Sequence, residues 1–290
     1  MFPSAPFFSV IRSLCSTMAF TTLTEPLLIT VSRSIPPTTC LPGKRPIVDR
    51  HFIRTMFGAT GGFGAPEVYH IKDKFYMFFS GNEHICVAVA DSPLGPFRQE
   101  EQKPMIDNEK CIDGSLFLDD DGKPYLFFNR FNDGLNVWVA ELEDNLTVIK
   151  KETMTKCINV SQDWEKVWPR VNEGAFVIKR NGVYYMTYSA NSYESPFYGI
   201  GFATATRVKG PWTKYDKNPI YQNVGDLVGI GHSAMFTDKD GKMRIVFHSH
   251  NSKTRIHPRI THISTVNFEQ ENNKEIMTID PKFFTPSHIK

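Results

Sequence analysis

One hairpin pattern returns four times along this chain and limits what it can fold into. Its first copy is the run VYHI at 68–71, the polar turn KDK at 72–74 and the aromatic run FYMFFSG at 75–81. The same order returns as SLFL, DDDGK and PYLFFN over 115–129, and as AFVI, KRNG and VYYMTYSA over 175–190. It closes as SAMFT, DKDGK and MRIVFHSH over 233–250. Two β-rich runs joined by a tight polar turn read as a hairpin, and three of the four turns carry glycine. A third run follows each hairpin: HICVAVA at 84–90, LNVWVAEL at 135–142, YGIGFATA at 198–205 and ITHISTVNF at 260–268. Fourth runs are shorter and less clear. Units of three to four antiparallel strands recurring every 46 to 60 residues predict an all-β chain of propeller blades, which a sandwich would not repeat in phase. Four blades are legible, and the N-terminal segment either supplies a fifth or leaves the ring at four.

Composition agrees and narrows the function classes. The 23 Phe and 10 Tyr favour strands. With 33 Lys+Arg against 31 Asp+Glu the formal charge is +2, too small for a polyanion-binding surface, so nucleic acid is excluded as a partner. No apolar run is long enough for a membrane-spanning helix, which predicts a soluble body. Five scattered cysteines (Cys15, Cys40, Cys86, Cys111, Cys157), with no C-x-x-C pair, argue against a disulfide framework or a thiolate zinc site. Residues 1–60 stand apart from the blade region 61–290. Residues 1–48 hold 20 Ser, Thr and Pro, four basic residues and the single acid Glu25, without a helical period or a signal-peptide pattern. They read as an atypical segment or a degenerate first blade.

The repeat also ranks the polar residues. Glu67, Asp113, Glu173 and His232 stand at the starts of successive first runs. First strands of propeller blades line the central channel, so these four are predicted to converge. Single acids at strand starts are commonly solvated, but four in phase indicate a site. Clustered carboxylates in a depression suit glycoside hydrolysis, where one protonated acid donates to the leaving oxygen and another group activates water. A third carboxylate raises the donor's pKa.

The strings APEVYHIKDKFYMFFS (65–80), CIDGSLFLDDDGKPYLFF (111–128), VNEGAFVIKRNGVYYMTYSA (171–190) and GIGHSAMF (229–236) resemble glycoside hydrolase family 43, five-bladed propellers that include β-xylosidases, α-L-arabinofuranosidases and arabinanases. The likeness spans about residues 64 to 270. It implies an inverting acid/base hydrolysis of xylose- or arabinose-containing polysaccharides or oligosaccharides. By motif, Glu173 corresponds to the general acid and Asp113 to the aspartate that orients it and raises its pKa. His232 matches a channel histidine that in several members ligates a structural calcium, largely through waters; the chemistry itself requires no cofactor. Arg259 matches a substrate-facing arginine and Glu67 a pocket residue. The aromatic ring of Trp168 is a candidate sugar platform, against the alternative that Trp164 and Trp168 both pack the loop.

One departure from the family pattern bears on turnover. The family base is an aspartate opening the first blade, and stepping back one repeat from Glu67 reaches residues 7–21, which hold no acid. The nearest substitutes are Glu25 and Asp49. A missing or degenerate first blade would impair hydrolysis, and the alternative function is then a non-catalytic carbohydrate-binding propeller. Calcium loops at DDDG and DKDG, a zinc pair at His248 and His250, and a phosphate cradle at GATGGFG (58–64) are each disfavoured against hairpin turns, ordinary histidines and a flexible entry segment.

Overall fold

The computed structural model describes residues 9–12, 63–167, 169–272 and 274–286. Their strands form four four-stranded sheets in sequential order. The first is β1 (Ser9–Arg12), β2 (Phe63–Ile71), β3 (Lys74–Gly81) and β4 (His84–Ala90). The second is β5 (Cys111–Leu118), β6 (Pro124–Phe131), β7 (Leu135–Glu141) and β8 (Thr155–Ile158). The third is β9 (Asn172–Arg180), β10 (Val183–Ala190), β11 (Gly199–Ala205) and β12 (Thr213–Lys214). The fourth is β13 (Gly231–Thr237), β14 (Met243–Ser249), β15 (Ile260–Glu271) and β16 (Lys274–Phe284). The fold class is all-β and the repeated unit is a propeller blade, as the hairpin pattern predicts. Among the described residues no helix is long and apolar enough to cross a membrane.

Both faces of the middle strands are covered, which explains their near-continuous apolar runs. Six successive residues at the start of β6 and the last seven of β10 are buried, with no in–out alternation. The polar turns are hairpin turns. At DKDG, Gly241 adopts φ +78°, and Asp238 Oδ1 accepts the N–H groups of Asp240 and Lys242 at 2.9 Å each while Oδ2 accepts Arg244 Nε at 2.7 Å. That carboxylate is consumed by its own turn, which disposes of the calcium-loop alternative there.

The last hairpin corrects the expectation of short fourth strands. β16 has 11 residues and pairs with a 12-residue β15. Charges and Pro281 interrupt its sequence, so the strand is defined by register with β15 rather than by its own pattern. The hairpin is tied to β10 and β12 and their neighbours: Glu275 accepts Arg180 Nε at 2.9 Å, Glu271 accepts the Tyr215 hydroxyl at 3.1 Å, and Phe268 meets Tyr185 edge-to-face at 5.3 Å.

The chain divides into two compact units, one of residues 1–126, 141–150 and 289–290, the other of residues 127–140 and 151–288. The first encloses Val68, Phe75, Met77, Phe79, Cys86 and Phe97. The second buries Tyr185, Tyr188, Tyr198, Phe202 and Phe247.

A left-handed residue marks each opening strand: Ala65 in β2, Asp113 in β5, Gly174 in β9 and His232 in β13. In β2, β9 and β13 the ladder shifts register there by one residue, between Gly64 and Glu67, opposite Thr187 and Ser189, and between Gly231 and Ala234. These bulges correct the predicted phase. Asp113 and His232 are equivalent, but Glu173 stands one residue before its bulge and Glu67 two residues after.

Candidate active site

Glu173 lies near the start of β9, in register with Ser189 of β10, and is 9% exposed. The buried Tyr198 hydroxyl donates to its Oε1 at 2.6 Å. Burial pushes the Glu173 carboxyl above the usual carboxylate range; the Tyr198 hydrogen bond and the Arg259 guanidinium pull the other way without cancelling it. The carboxyl is therefore biased toward the protonated form, the state a proton donor needs.

A chain of contacts stands behind that carboxyl. The Tyr198 ring stacks on His248, with centroids 5.6 Å apart and planes at 20°. His248 Nε2 meets Arg259 Nη1 at 3.0 Å. A guanidinium only donates, so Nε2 is the acceptor and the proton of the neutral ring sits on Nδ1. Burial, followed by the positive charge of Arg259, holds His248 well below the ordinary histidine pKa and keeps it neutral. Arg259 also lies over the Tyr193 ring, 4.8 Å from its centroid. Packing here is close: a Cβ built on Gly231 would stand 2.0 Å from Tyr198 Cε1.

His232 joins this group through its backbone. Its N–H donates to Ser189 Oγ at 2.7 Å, and a Cβ on Gly174 would approach His232 Nδ1 to 3.2 Å. Glu173, His232 and Arg259, three residues predicted from sequence, thus fall within the second unit. Tyr198 and Tyr193 escaped the sequence reading as site residues, and His248 entered it as half of the disfavoured zinc pair; the one available signal for Tyr198 was that it opens the third run of its repeat.

Asp113 and Glu67 belong to the first unit. Asp113 is 7% exposed and left-handed at φ +59°, and its N–H donates to Ser80 Oγ at 3.0 Å, the same arrangement as His232 on Ser189. Glu67 is 2% exposed and accepts the Tyr69 hydroxyl, whose oxygen in turn accepts the Leu116 N–H at 3.0 Å. Trp168, Glu25 and Asp49 lie outside the described residues.

Among the described residues no group of three or more His, Cys, Asp or Glu could hold a metal ion. The zinc alternative at His248 and His250 does not stand, because His248 faces Arg259 and His250 Nε2 meets the Tyr193 carbonyl at 2.7 Å. Trp164 packs the loop: its Nε1 donates to Gln162 Oε1 at 2.9 Å and its ring lies 6.0 Å from that of Tyr188.

Comparison with known proteins places this geometry in a family. The chain is 27% identical over 207 residues to the beta-D-galactofuranosidase xynD of Aspergillus niger, covering 68% of this chain and 56% of that protein. It is 25% identical over 211 residues to an extracellular exo-alpha-(1->5)-L-arabinofuranosidase of Streptomyces avermitilis, covering 65% and 43%. The chain thus spans about half the length of these relatives. A crystal structure described as an endo-1,4-beta-xylanase from Bacteroides thetaiotaomicron is 48% identical, with a TM-score of 0.74 over 79% of this chain and 78% of that one. A thermostable family-43 glycoside hydrolase is 34% identical, with a TM-score of 0.70 over 79% and 78%. The model of the family described as Glycosyl hydrolases family 43 matches residues 52–273, and with that span the chain belongs to glycosyl hydrolase family 43.

Proposed function

We propose that this chain hydrolyses glycosidic bonds of xylose- or arabinose-containing polysaccharides or oligosaccharides by inversion, with Glu173 as the general acid. The observation that carries the reading is the buried carboxyl of Glu173, raised in pKa and, among the described residues, hydrogen-bonded at Oε1 by Tyr198. With Oε1 engaged by a donor, Oε2 is the oxygen that holds the proton and delivers it to the leaving glycosidic oxygen. By motif, Asp113 corresponds to the family aspartate that orients the acid and raises its pKa. Arg259 faces substrate and opposes excess negative charge near Glu173. Glu67 corresponds by motif to a pocket residue of the family, and Trp168 is a candidate sugar platform from its sequence alone. By motif, His232 is the residue that would accompany a structural calcium held largely through waters; the described side chains form no metal-holding cluster around it, and no step runs through such an ion. The base acts on water from the opposite side of the sugar, about 6.5–9.5 Å from the acid; Glu25 and Asp49 are its candidates.

Aryl β-xylosides and α-L-arabinofuranosides test the reading. Glu173→Gln should slow release of a poor leaving group, such as phenol, by about 10²- to 10⁴-fold while sparing 2,4-dinitrophenol, which departs without protonation. Equal rates for both substrates in wild type and variant would remove Glu173 from the role. Oligosaccharide affinity in isothermal titration without product release would favour the carbohydrate-binding alternative.

A further inference from the structure

A second buried charge sits behind the acid. Glu165, in the 3-10 turn Asp163–Lys166 between β8 and β9, is fully buried, and the Lys214 side chain in β12 is 8% exposed. Lys214 Nζ lies 2.5 and 2.7 Å from the two Glu165 oxygens. The carboxylate also accepts the Ser161 and Gln162 N–H groups at 2.7 and 3.0 Å and the Tyr188 hydroxyl at 2.7 Å. With that anion saturated, Lys214 Nζ reaches two further acceptors, the Asn159 carbonyl at 2.7 Å and Asn172 Oδ1 at 2.9 Å.

Asn172 is fully buried and immediately precedes Glu173. Its amide donates to the Val171 carbonyl at 2.9 Å, and its own carbonyl accepts Asn129 Nδ2 at 2.8 Å. This clamp falls where the sheet is weakest as a support. Asn172 is the first residue of β9, and the bulge at Gly174 (φ +60°) breaks the ladder directly after Glu173. A buried ion pair is a poor source of stability, since apolar side chains of similar volume often serve as well, so its presence here points to a geometric role.

We propose that Lys214, held in place by Glu165, is a positioning residue that fixes Asn172 and thereby aims the Glu173 carboxyl. The inference rests on Glu173 acting as the acid. Losing the clamp lets the start of β9 shift, and a displacement of about 1 Å at a reacting group costs on the order of 10²-fold in rate.

The double variant Glu165→Gln/Lys214→Met removes both charges together and so leaves no unpaired buried ion. It should lower kcat for a phenyl glycoside by about 10- to 100-fold, with KM and the 2,4-dinitrophenyl rate within twofold of wild type. Asn172→Ala, which keeps the ion pair, should give the same split and carries the comparison if the double variant does not fold. Equal losses on both substrates, or no loss, in a folded variant would overturn the proposal. If the unaltered protein releases neither phenol, the glycosidase reading has failed instead, and crystal structures decide the positioning. The 2.6 Å contact between Tyr198 and Glu173 should open in the variants, whereas an unmoved Glu173 side chain would sink the idea.

Discussion

Glu173 sits between opposing influences, and each can be moved singly. Removing the Tyr198 hydroxyl deletes a hydrogen bond that favours the ionised carboxylate. Tyr198→Phe should therefore raise the acid's pKa further and carry the alkaline limb of the kcat/KM profile to higher pH; a limb that stays or falls contradicts the assignment. The same sign governs stability. A carboxyl whose folded pKa lies above its unfolded value holds its proton more tightly when folded, so ionisation at rising pH works against the native state. Glu173→Gln is expected to unfold at the same temperature as wild type or higher at pH 8, measured by calorimetry, even as it loses proton donation. Gly231 shows the opposite kind of constraint. Any side chain there meets the Tyr198 ring, so Gly231→Ala should cost about 1–3 kcal/mol in urea unfolding and disturb the acid as well.

At the scale of elements, the β14–β15 pair carries a separate pH sensitivity. His262 in β15 lies between Ser249 Oγ on its Nε2 and Thr285 Oγ1 on its Nδ1, both at 2.9 Å, and burial pulls its pKa from 6.5 to about 4. A histidine with a depressed folded pKa contributes its full stability above the unfolded value. That contribution drains away as pH falls from 6.5 toward 4. His262→Asn should flatten the decline in urea stability between pH 7 and pH 4.5, and an unchanged slope would assign the decline elsewhere. Elements were also where reading from sequence succeeded most fully. The predicted third run at 84–90 coincides with β4, and those at 135–142 and 198–205 each differ from β7 and β11 by one residue. Alternating and aromatic runs bounded by turn residues are local signals, and a hairpin is a local structure. The left-handed positions were not legible. A bulge adds one residue without changing composition, so Glu173 and Glu67 read as in phase with Asp113 and His232 when the ladder sets them off by one and two residues.

For the molecule as a whole, the role that the family motif implies for Asp113 is open to a test of additivity. If Asp113 acts through the acid, Asp113→Asn should cost far less in a Glu173→Gln background than in wild type, read as kcat/KM on a phenyl glycoside; independent, additive losses would separate the two residues. Sequence alone determined the all-β class, the blade repeat and the family, and it singled out Glu173 as the candidate acid, because a repeated hairpin and its motifs are written in contiguous residues. Tertiary structure alone decided what surrounds that acid. Tyr198 is 25 positions from Glu173, and Lys214 is 42 from Asn172; such meetings depend on strand register and on packing between distant segments, which no spacing in the chain records.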